Sequence, residues 1–509
     1  MFSSYICKVS IINMKKLRVA LALLFFLGIS VLLTGLLPGL LPWLGWMPKL
    51  QFLPALLALN AVIIIVLLVI TLCFGRIYCS TICPLGVLQD GISHVSVLAK
   101  RARKNRKPFH FRKEHKWLRY GVWVLFVVLL LAGMQPIVAL LAPYSAYGRI
   151  VSSIINHYDI HVMIVAGVTL LAVGLLAWFT GREYCNSICP VGTTLSFFSR
   201  FALFRPVIDS SKCKECGLCG LNCKASCIDT ANKKIDYSRC VDCFNCIGVC
   251  NSGAIRYRFV GFGKRRHVLL RTPYPPTDEV GGAQQSWEGP SGRLEEKQLP
   301  PMQSGRRAFI AGAAMGLSAI ALKAQKKTDG GFAEILPKQA LDRETPLTPP
   351  GSKSVKDFYR RCTACQLCVQ VCPNKVLRPS TDPQRLMQPE MGYENGYCRP
   401  ECTACSQVCP SGAILPIAAE QKTVYHIGTA SVNRELCVAE KGTKCGNCAR
   451  HCPVGAIKMV KNDEGNRIPT VNEERCIGCG ACENLCPSRP VSAITVNGRH
   501  YHLEHQANG

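Results

Sequence analysis

Four long apolar stretches in the first 200 of the 509 residues lack charged side chains. They are Val19–Leu37, Leu53–Phe74, Tyr120–Leu141 and Val162–Phe179. A helix needs roughly 20 apolar residues to cross a bilayer, and four stretches of this length exclude helices buried in a soluble core. The sequence therefore predicts an α-helical membrane bundle of four helices within residues 1–200.

Acidic residues are scarce along the whole chain, with 32 Asp and Glu against 60 Lys and Arg and a formal net charge of +28. Lys15, Lys16 and Arg18 precede the first stretch, and ten basic residues lie from Lys100 to Arg119. Basic residues mark cytoplasmic loops, so the N-terminus and the second-to-third link are expected inside. We interpret the basic run as topological, with membrane lipid as a partner and no nucleic acid.

A haem-attachment motif, C-x-x-C-H, is absent, although the chain has 31 cysteines. Most of these cysteines fall instead into six short runs of four, and each run is a candidate set of metal ligands. The two runs in the middle of the chain are Cys213, Cys216, Cys219, Cys223 and Cys240, Cys243, Cys246, Cys250. The four runs of the C-terminal third are Cys362, Cys365, Cys368, Cys372; Cys398, Cys402, Cys405, Cys409; Cys437, Cys445, Cys448, Cys452; and Cys476, Cys479, Cys482, Cys486.

The spacing C-x2-C-x2-C-x3-C, which the middle runs and two later runs keep, is typical of bacterial [4Fe–4S] ferredoxins. Three thiolates on one loop hold one cube, and the fourth points to a second cube. Zinc requires two separated cysteine pairs, and disulfides give no reason for the repeat. We therefore predict six [4Fe–4S] clusters in two α+β ferredoxin-like domains, a two-cluster domain at 205–258 and a four-cluster, double domain at 350–509.

The sequence leaves the pairing of the C-terminal runs open. Consecutive C-terminal runs may pair, or the first and fourth may enclose the second and third. In the middle runs, Lys224 and Asn251 stand where proline usually follows the last cysteine. Cys227 is an extra thiol, which we interpret as a small buried residue rather than a ligand.

An internal repeat lies within the membrane part. Gly75–Gly86 reads G-R-I-Y-C-S-T-I-C-P-L-G, and Gly181–Gly192 reads G-R-E-Y-C-N-S-I-C-P-V-G. Two helical hairpins of the same orientation would bring both C-x3-C-P motifs to one membrane face. Within a continuous helix, each cysteine pair would share one side. We favour a metal or redox role over simple packing for the four thiols, which are Cys79, Cys83, Cys185 and Cys189.

Residues 259–303 are rich in Pro, Gly, Gln and charge and are predicted to form a flexible linker. Residues 304–325 follow, with Arg306 and Arg307 before a short apolar segment, like a twin-arginine export signal. This segment would span the membrane as a fifth helix, be cleaved, or remain inside as a surface helix. We expect export, which would place the C-terminal ferredoxin in the periplasm.

Residues 1–258, with the two Gly-Arg-x-Tyr-Cys-x3-Cys-Pro motifs and the middle cysteine runs, resemble the NapH family of membrane quinol dehydrogenase subunits. Residues 304–509, with the paired arginines and four cysteine runs, resemble the NapG family of periplasmic iron–sulfur proteins. The chain is thus similar to a NapH–NapG fusion. Its membrane part is also similar to NosR and to the CcoG/RdxA-type copper-oxidase assembly proteins.

The resemblance implies a multi-pass protein of the bacterial inner membrane that passes electrons from quinol, through the clusters, to a periplasmic reductase. The implied partners are the quinone pool and a periplasmic redox protein. A maturation factor for a metalloenzyme is the main alternative, and a module of a cytoplasmic reductase is a third. Weak candidates for contact with the quinol lie at the ends of the apolar stretches: His157, Asp159, His161, Tyr78, Glu183 and Tyr184.

Overall fold

The computed structural model describes residues 2–35, 38–102, 109–155, 160–261, 336–462 and 465–502. The chain divides into one unit formed by Met1–Phe262 with Lys338–Gly509, and another formed by Gly263–Pro337. Apart from residues 336 and 337, the described residues belong to the first unit. The predicted linker, except its first residues, and the twin-arginine-like segment lie outside the described residues.

The N-terminal part is helical. Its helices are α1 (Phe2–Thr34), α2 (Phe52–Leu57), α3 (Ala61–Phe74), α4 (Pro84–Ala102), α5 (Lys116–Leu131), α6 (Gln135–Leu141), α7 (Pro143–Ile155), α8 (Ile160–Thr180) and α9 (Pro190–Ser199). Short helical turns lie at Pro38–Leu40, Leu41–Leu44, Pro48–Leu50, Tyr78–Thr81 and Tyr184–Ile188.

Two helices are long and apolar enough to span a membrane, namely Met14–Thr34 within α1 and Ile160–Thr180, each of 21 residues. The helices α6 and α7 meet at 84° and would count as a third span only if the pair is one broken span. Four full-length membrane helices are thus not confirmed among the described residues.

The second and third apolar stretches are each interrupted. The second breaks at Leu59, whose φ of 55° is left-handed, and Asn60 then caps α3 by accepting a hydrogen bond from the Ile63 amide. The third breaks at Gly133, with φ of 76°, because glycine adopts this conformation without steric cost. Because the second stretch breaks at Leu59, α3 has only 14 residues, about 21 Å of helix.

The middle ferredoxin is a small α+β domain. Its elements are β1 (Phe204–Ile208), α10 (Leu218–Leu221), β2 (Ile228–Asp229), β3 (Lys234–Ile235), α11 (Asn245–Gly248) and β4 (Ile255–Phe259). Strand β1 pairs antiparallel with β4, Phe204 opposite Phe259 and Ile208 opposite Ile255, and β2 pairs with β3. The outer strand pair brings the beginning and end of the domain together around the two cysteine runs.

The C-terminal part repeats this plan with more elements. They are α12 (Val355–Arg361), α13 (Leu367–Val371), β5 (Leu377–Pro379), β6 (Pro389–Met391), α14 (Ala404–Val408), α15 (Ala419–Lys422), β7 (Gly428–Val432), α16 (Asn447–Arg450), β8 (Ile457–Lys461), β9 (Arg467–Val471), α17 (Ala481–Asn484) and β10 (Ile494–Gly498). All pairs are antiparallel: β5 with β6, β8 with β9, and β7 with β10.

The two ferredoxin regions contact opposite ends of α1. Helix α1 packs against α11, and at the beginning of its segment Met14–Thr34 the residues Lys15 and Val19 line one cavity together with Asn245. At its other end, α1 packs against α13, where a Cβ added to Gly35 would lie 2.8 Å from the Gln370 carbonyl oxygen. The segment Met14–Thr34 between these contacts has 21 residues and measures about 32 Å as a helix, which is close to the thickness of a hydrocarbon core.

Candidate metal centres

The middle ferredoxin brings the last cysteine of each run to the other run. We name two sets: set A is Cys213, Cys216, Cys219 and Cys250, and set B is Cys240, Cys243, Cys246 and Cys223. Each set lines its own small, mostly apolar cavity. This exchange is the arrangement that two-cluster bacterial ferredoxins use.

The C-terminal runs pair consecutively, which answers the question that the sequence left open. The proximities of the thiols define set C (Cys362, Cys365, Cys368, Cys409), set D (Cys398, Cys402, Cys405, Cys372), set E (Cys476, Cys479, Cys482, Cys452) and set F (Cys437, Cys445, Cys448, Cys486). Sets C and D exchange their last cysteines, and so do sets E and F.

Serine at Cys409 should remove the cluster of set C, although Cys409 belongs to the second run. We expect a loss of about four iron atoms per chain. Adding Cys362→Ser should then remove no further iron, whereas adding Cys372→Ser should remove about four more from set D. Iron analysis of anaerobically purified protein measures both. If Cys409→Ser and Cys362→Ser had additive losses, the exchange would be wrong.

The cysteines of the six runs are all available as metal ligands. Every cysteine whose side chain the structure describes is a free thiol. In the same residues no three His, Cys, Asp or Glu side chains are grouped closely enough to hold one metal ion. A cube separates its four ligands further than one ion does, because each thiolate binds a different iron. Cys227 is buried as predicted, 3.5 Å from the Cys223 sulfur.

Set D and set E are in direct contact across the two halves of the C-terminal part. The Cys398 amide donates a hydrogen bond of 2.9 Å to the Cys479 carbonyl. Tyr393 is fully buried between these cysteines, and its hydroxyl donates to the Gly478 carbonyl. Sets C, D, E and F therefore form one continuous series.

The two C-x3-C-P motifs converge, as the repeat predicts. The four thiols of Cys79, Cys83, Cys185 and Cys189 are buried and lie within electrostatic range of one another. We call them the four-thiol site.

Neither motif lies within one continuous helix. A short turn holds the first cysteine, and a new helix begins at Pro84 or Pro190, directly after the second cysteine. Proline favours the first position of a helix because its fixed φ suits that position and its missing amide donor is not needed there. Cys189 caps α9, and its sulfur accepts a hydrogen bond from the Gly192 amide at 3.4 Å. The cysteine pairs are thus placed by the turn and not by helical periodicity.

The arginines of the repeat cross between the two copies. Arg76 donates to the Cys185 carbonyl at 2.9 Å, and Arg182 donates to the Cys79 carbonyl at 2.6 Å. Both guanidinium groups are fully buried. In the described part of the chain, Nε of Arg76 and Nη2 of Arg182 have no hydrogen-bond partner. Two buried cations next to four thiols fit an anionic thiolate-bound cluster.

The glycines of the repeat explain the close packing around the four-thiol site. A Cβ on Gly86 would lie 2.2 Å from the Cys79 carbonyl oxygen, and one on Gly192 would lie 2.3 Å from that of Cys185. Gly75 and Gly181 end α3 and α8 in the left-handed region. At these two positions the missing side chain admits Asp242 and the Lys224 carbonyl of the middle ferredoxin.

Asp90 anchors the middle ferredoxin to the bundle, and none of the sequence motifs includes this residue. Its carboxylate lies 2.8 Å from Arg182 Nε, 3.3 Å from Arg18 Nη1 and 3.5 Å from Lys224 Nζ. Burial opposes ionisation, yet Arg182 and Lys224 together hold the pKa of Asp90 well below its usual range. Lys224 thus makes an ion pair from the position where ferredoxins usually have proline.

Tyr144 joins the four-thiol site to the C-terminal ferredoxin. This fully buried residue of α7 lies within electrostatic range of Cys365 and Cys409 on one side and of Tyr78 on the other. Close by, a Cβ on Gly148 would lie 2.3 Å from the Cys365 carbonyl oxygen, and Gln370 donates to the Ser152 hydroxyl at 2.6 Å. Helix α7 therefore carries the loop of set C.

Two of the quinol candidates named from the sequence, Tyr78 and Tyr184, both lie within electrostatic range of Cys83 and Cys189 of the four-thiol site. Tyr78 is buried and donates to Gln51 at 3.0 Å, while Tyr184 is buried and donates to the Leu141 carbonyl at 3.0 Å. His157 and Asp159 lie outside the described residues. Glu183 accepts a hydrogen bond from Ser187.

Family models match both parts of the chain. A "4Fe-4S dicluster domain" matches residues 339–413 and 441–489, two segments that hold sets C and D and most of sets E and F. A "4Fe-4S binding domain" matches residues 56–106 and 161–208. The second model covers both C-x3-C-P motifs.

Similar curated proteins are ferredoxin-type proteins. The chain is 34% identical over 150 residues to the methylamine utilization ferredoxin-type protein MauM of Methylobacillus flagellatus, which covers 28% of this chain and 64% of MauM. It is 30% identical over 204 residues to the ferredoxin-type protein NapG of Escherichia coli, covering 36% of this chain and 82% of NapG.

The ferredoxin-type protein NapF of Escherichia coli is also 30% identical, over 157 residues that cover 31% of this chain and 87% of NapF. The thiol sets, the family models and these relatives agree on iron–sulfur electron transfer. The chain therefore belongs to the family of ferredoxin-type 4Fe-4S electron-transfer proteins that includes NapG and NapF.

Proposed function

We propose that this chain is a membrane-bound protein that passes electrons from quinol to a periplasmic redox partner, such as a reductase of the nitrate-reductase type. One observation carries the proposal: the described residues bring together six ferredoxin-type sets of four thiols and a further four-thiol site in the bundle. Arg76 of that site donates to the Ser238 carbonyl of the middle ferredoxin, and Tyr144 of the bundle lies next to Cys365 of set C. When bound, [4Fe–4S] clusters accept and release single electrons. Six such clusters would occupy sets A to F.

The placement of the two ferredoxins supports transfer across the membrane. Both contact α1, at ends separated by about one hydrocarbon thickness. We propose that the middle ferredoxin is cytoplasmic and the C-terminal one periplasmic, in the inner membrane. The shorter helices α3 and α5 would complete a bundle of four spans, as in a NapH-like module fused to a NapG-like one.

The four-thiol site would shorten the path between the two ferredoxins. Without it, set B and set C would be separated by apolar helix packing. The four buried thiols would supply the four thiolate ligands of an iron–sulfur cluster. Arg76 and Arg182 would offset its negative charge, since charged groups in a dry interior need compensation.

Quinol should reduce the clusters of the full-length protein in sealed membrane vesicles. We expect the characteristic low-temperature paramagnetic signals of reduced [4Fe–4S] clusters after anaerobic addition of quinol, and none after addition of the corresponding quinone. A dithionite-treated sample gives the full signal for comparison. If the clusters stayed oxidised with quinol, and deletion of the gene cost a partner enzyme its metal, a maturation role would replace this proposal.

A further inference from the structure

A cavity of about 560 Å³ lies between α1, α4 and the middle ferredoxin. It falls within the size range of sites for small molecules and cofactors. Val19, Leu23 and Leu98 form an exposed apolar side, and Asp90 and His94 line it from one face of α4. Residues four apart on a helix lie on the same side. The cavity therefore offers an apolar side next to a polar wall.

The polar wall is formed by residues next to cluster ligands. Asn222 and Lys224 flank Cys223 of set B, and Asn245 precedes Cys246 of the same set, and all three line the cavity. A molecule in the cavity would thus touch the ligand loops of set B. This position favours a redox-active occupant.

The wall carries one carboxylate, Asp90, and three cations, Lys15, Arg18 and Lys224, so it offers hydrogen-bond donors to the oxygen atoms of a quinol ring. Arg18 and Lys224 are already paired with Asp90, at 3.3 Å and 3.5 Å. Asp90 itself stays ionised, so it is a poor acceptor for a proton. The exposed imidazole of His94 is the group suited to take one.

We propose that this cavity binds the ring of a membrane quinol, with its isoprenoid tail along the apolar side, and that His94 accepts the protons of the hydroxyl groups. The inference rests on the proposed quinol-linked function and names its site. Oxidation of one quinol to quinone releases two electrons and two protons. A [4Fe–4S] cluster held by set B would take up the electrons one at a time, and His94 would pass each proton on to water.

Gly91→Phe tests the site, since a Cβ on Gly91 meets no atom within 4 Å and the residue lines the cavity. The added ring should project into the cavity, obstruct it and leave the fold intact. Gly167→Phe on α8 is the matched control, because it also has open space and does not line the cavity. The full-length protein is placed in nanodiscs with decyl-ubiquinol or menadiol as donor, and a photoreactive azido-quinone is used as a label.

We expect Gly91→Phe to slow quinol reduction of the clusters about ten-fold or more, because a filled pocket excludes its ligand. His94→Gln should slow reduction while labelling persists. Dithionite should reduce all variants equally, and the azido-quinone should label residues 84–102 in the control but not in Gly91→Phe.

Wild-type rates and labelling in Gly91→Phe would overturn the site and leave the proposed function standing. If neither quinol reduced the wild-type protein, both would fall. If instead a photoreactive phosphatidylglycerol labelled residues 84–102 and the azido-quinone did not, the cavity would be a lipid site and the inference would be wrong.

Discussion

Replacing both Cys79 and Cys185 by serine should leave sets A and B reducible by quinol and prevent electrons from reaching sets C to F. The four-thiol site then loses one ligand from each motif, and the remaining path crosses a large part of an apolar core of about 30 Å. We expect reduction of the C-terminal clusters to slow at least about 100-fold, since such a core offers no other carrier. Freeze-quenched paramagnetic spectra of the two ferredoxins measure the effect.

The fold should tolerate this double change. Serine is close in size to cysteine, and it keeps the backbone carbonyls of Cys79 and Cys185 that Arg182 and Arg76 hold. Arg76 also contacts the Cys79 sulfur at 3.9 Å, and a serine hydroxyl can accept a hydrogen bond in its place. Cys73→Ser is the matched control, because Cys73 lies about one turn before the motif and outside the four-thiol site. Unchanged electron arrival at the C-terminal clusters in the double variant would exclude the four-thiol site from the path.

Gly148→Leu should separate the C-terminal ferredoxin from the bundle. The first added carbon would lie 2.3 Å from the Cys365 carbonyl oxygen, a distance that no rotamer relieves because both partners are backbone-fixed. Overpacking of this kind costs about 1–3 kcal/mol, and here the strain falls on the contact between α7 and the loop of set C. We expect reduction of sets C to F to fall at least about ten-fold, with set C most affected.

The control for this change is Gly174→Leu on α8, where a Cβ meets nothing within 4 Å. Iron content should be the same in both variants, because Gly148 contacts only the backbone of a ligand. Proteolysis of the intact protein in nanodiscs offers a second readout, since an undocked domain exposes the α13 loop. Equal rates and equal protease resistance in Gly148→Leu would show that this contact does not couple the two parts.

Lys224, which stands where ferredoxins usually have proline, has a structural role in this protein. In the sequence, Lys224 is only a residue that stands in place of the usual proline. In the structure the lysine joins Asp90, and its carbonyl accepts the Arg182 amide at 2.9 Å. A proline at this position would provide no side-chain cation for Asp90. The middle ferredoxin thus combines the standard cysteine spacing with an adjacent lysine that contacts the bundle.

The spacing of the cysteines was enough to predict that the thiols of each run lie close together, because three thiols that bind one cube sit on a single short loop. The apolar stretches predicted a membrane part, and the repeat predicted that Cys79, Cys83, Cys185 and Cys189 converge. Each of these features depends on a short segment of the chain or on a motif that occurs twice in it.

The tertiary structure decided the pairing of the last four runs, the breaks at Leu59 and Gly133, and the crossed arginines. It also brought Tyr144 to Cys365 and built the cavity beside His94. These features depend on contacts between residues far apart in the chain, and many arrangements of the same helices and loops satisfy the local rules equally well. Only the packing of the whole molecule, with its buried charges matched, selects one arrangement among them.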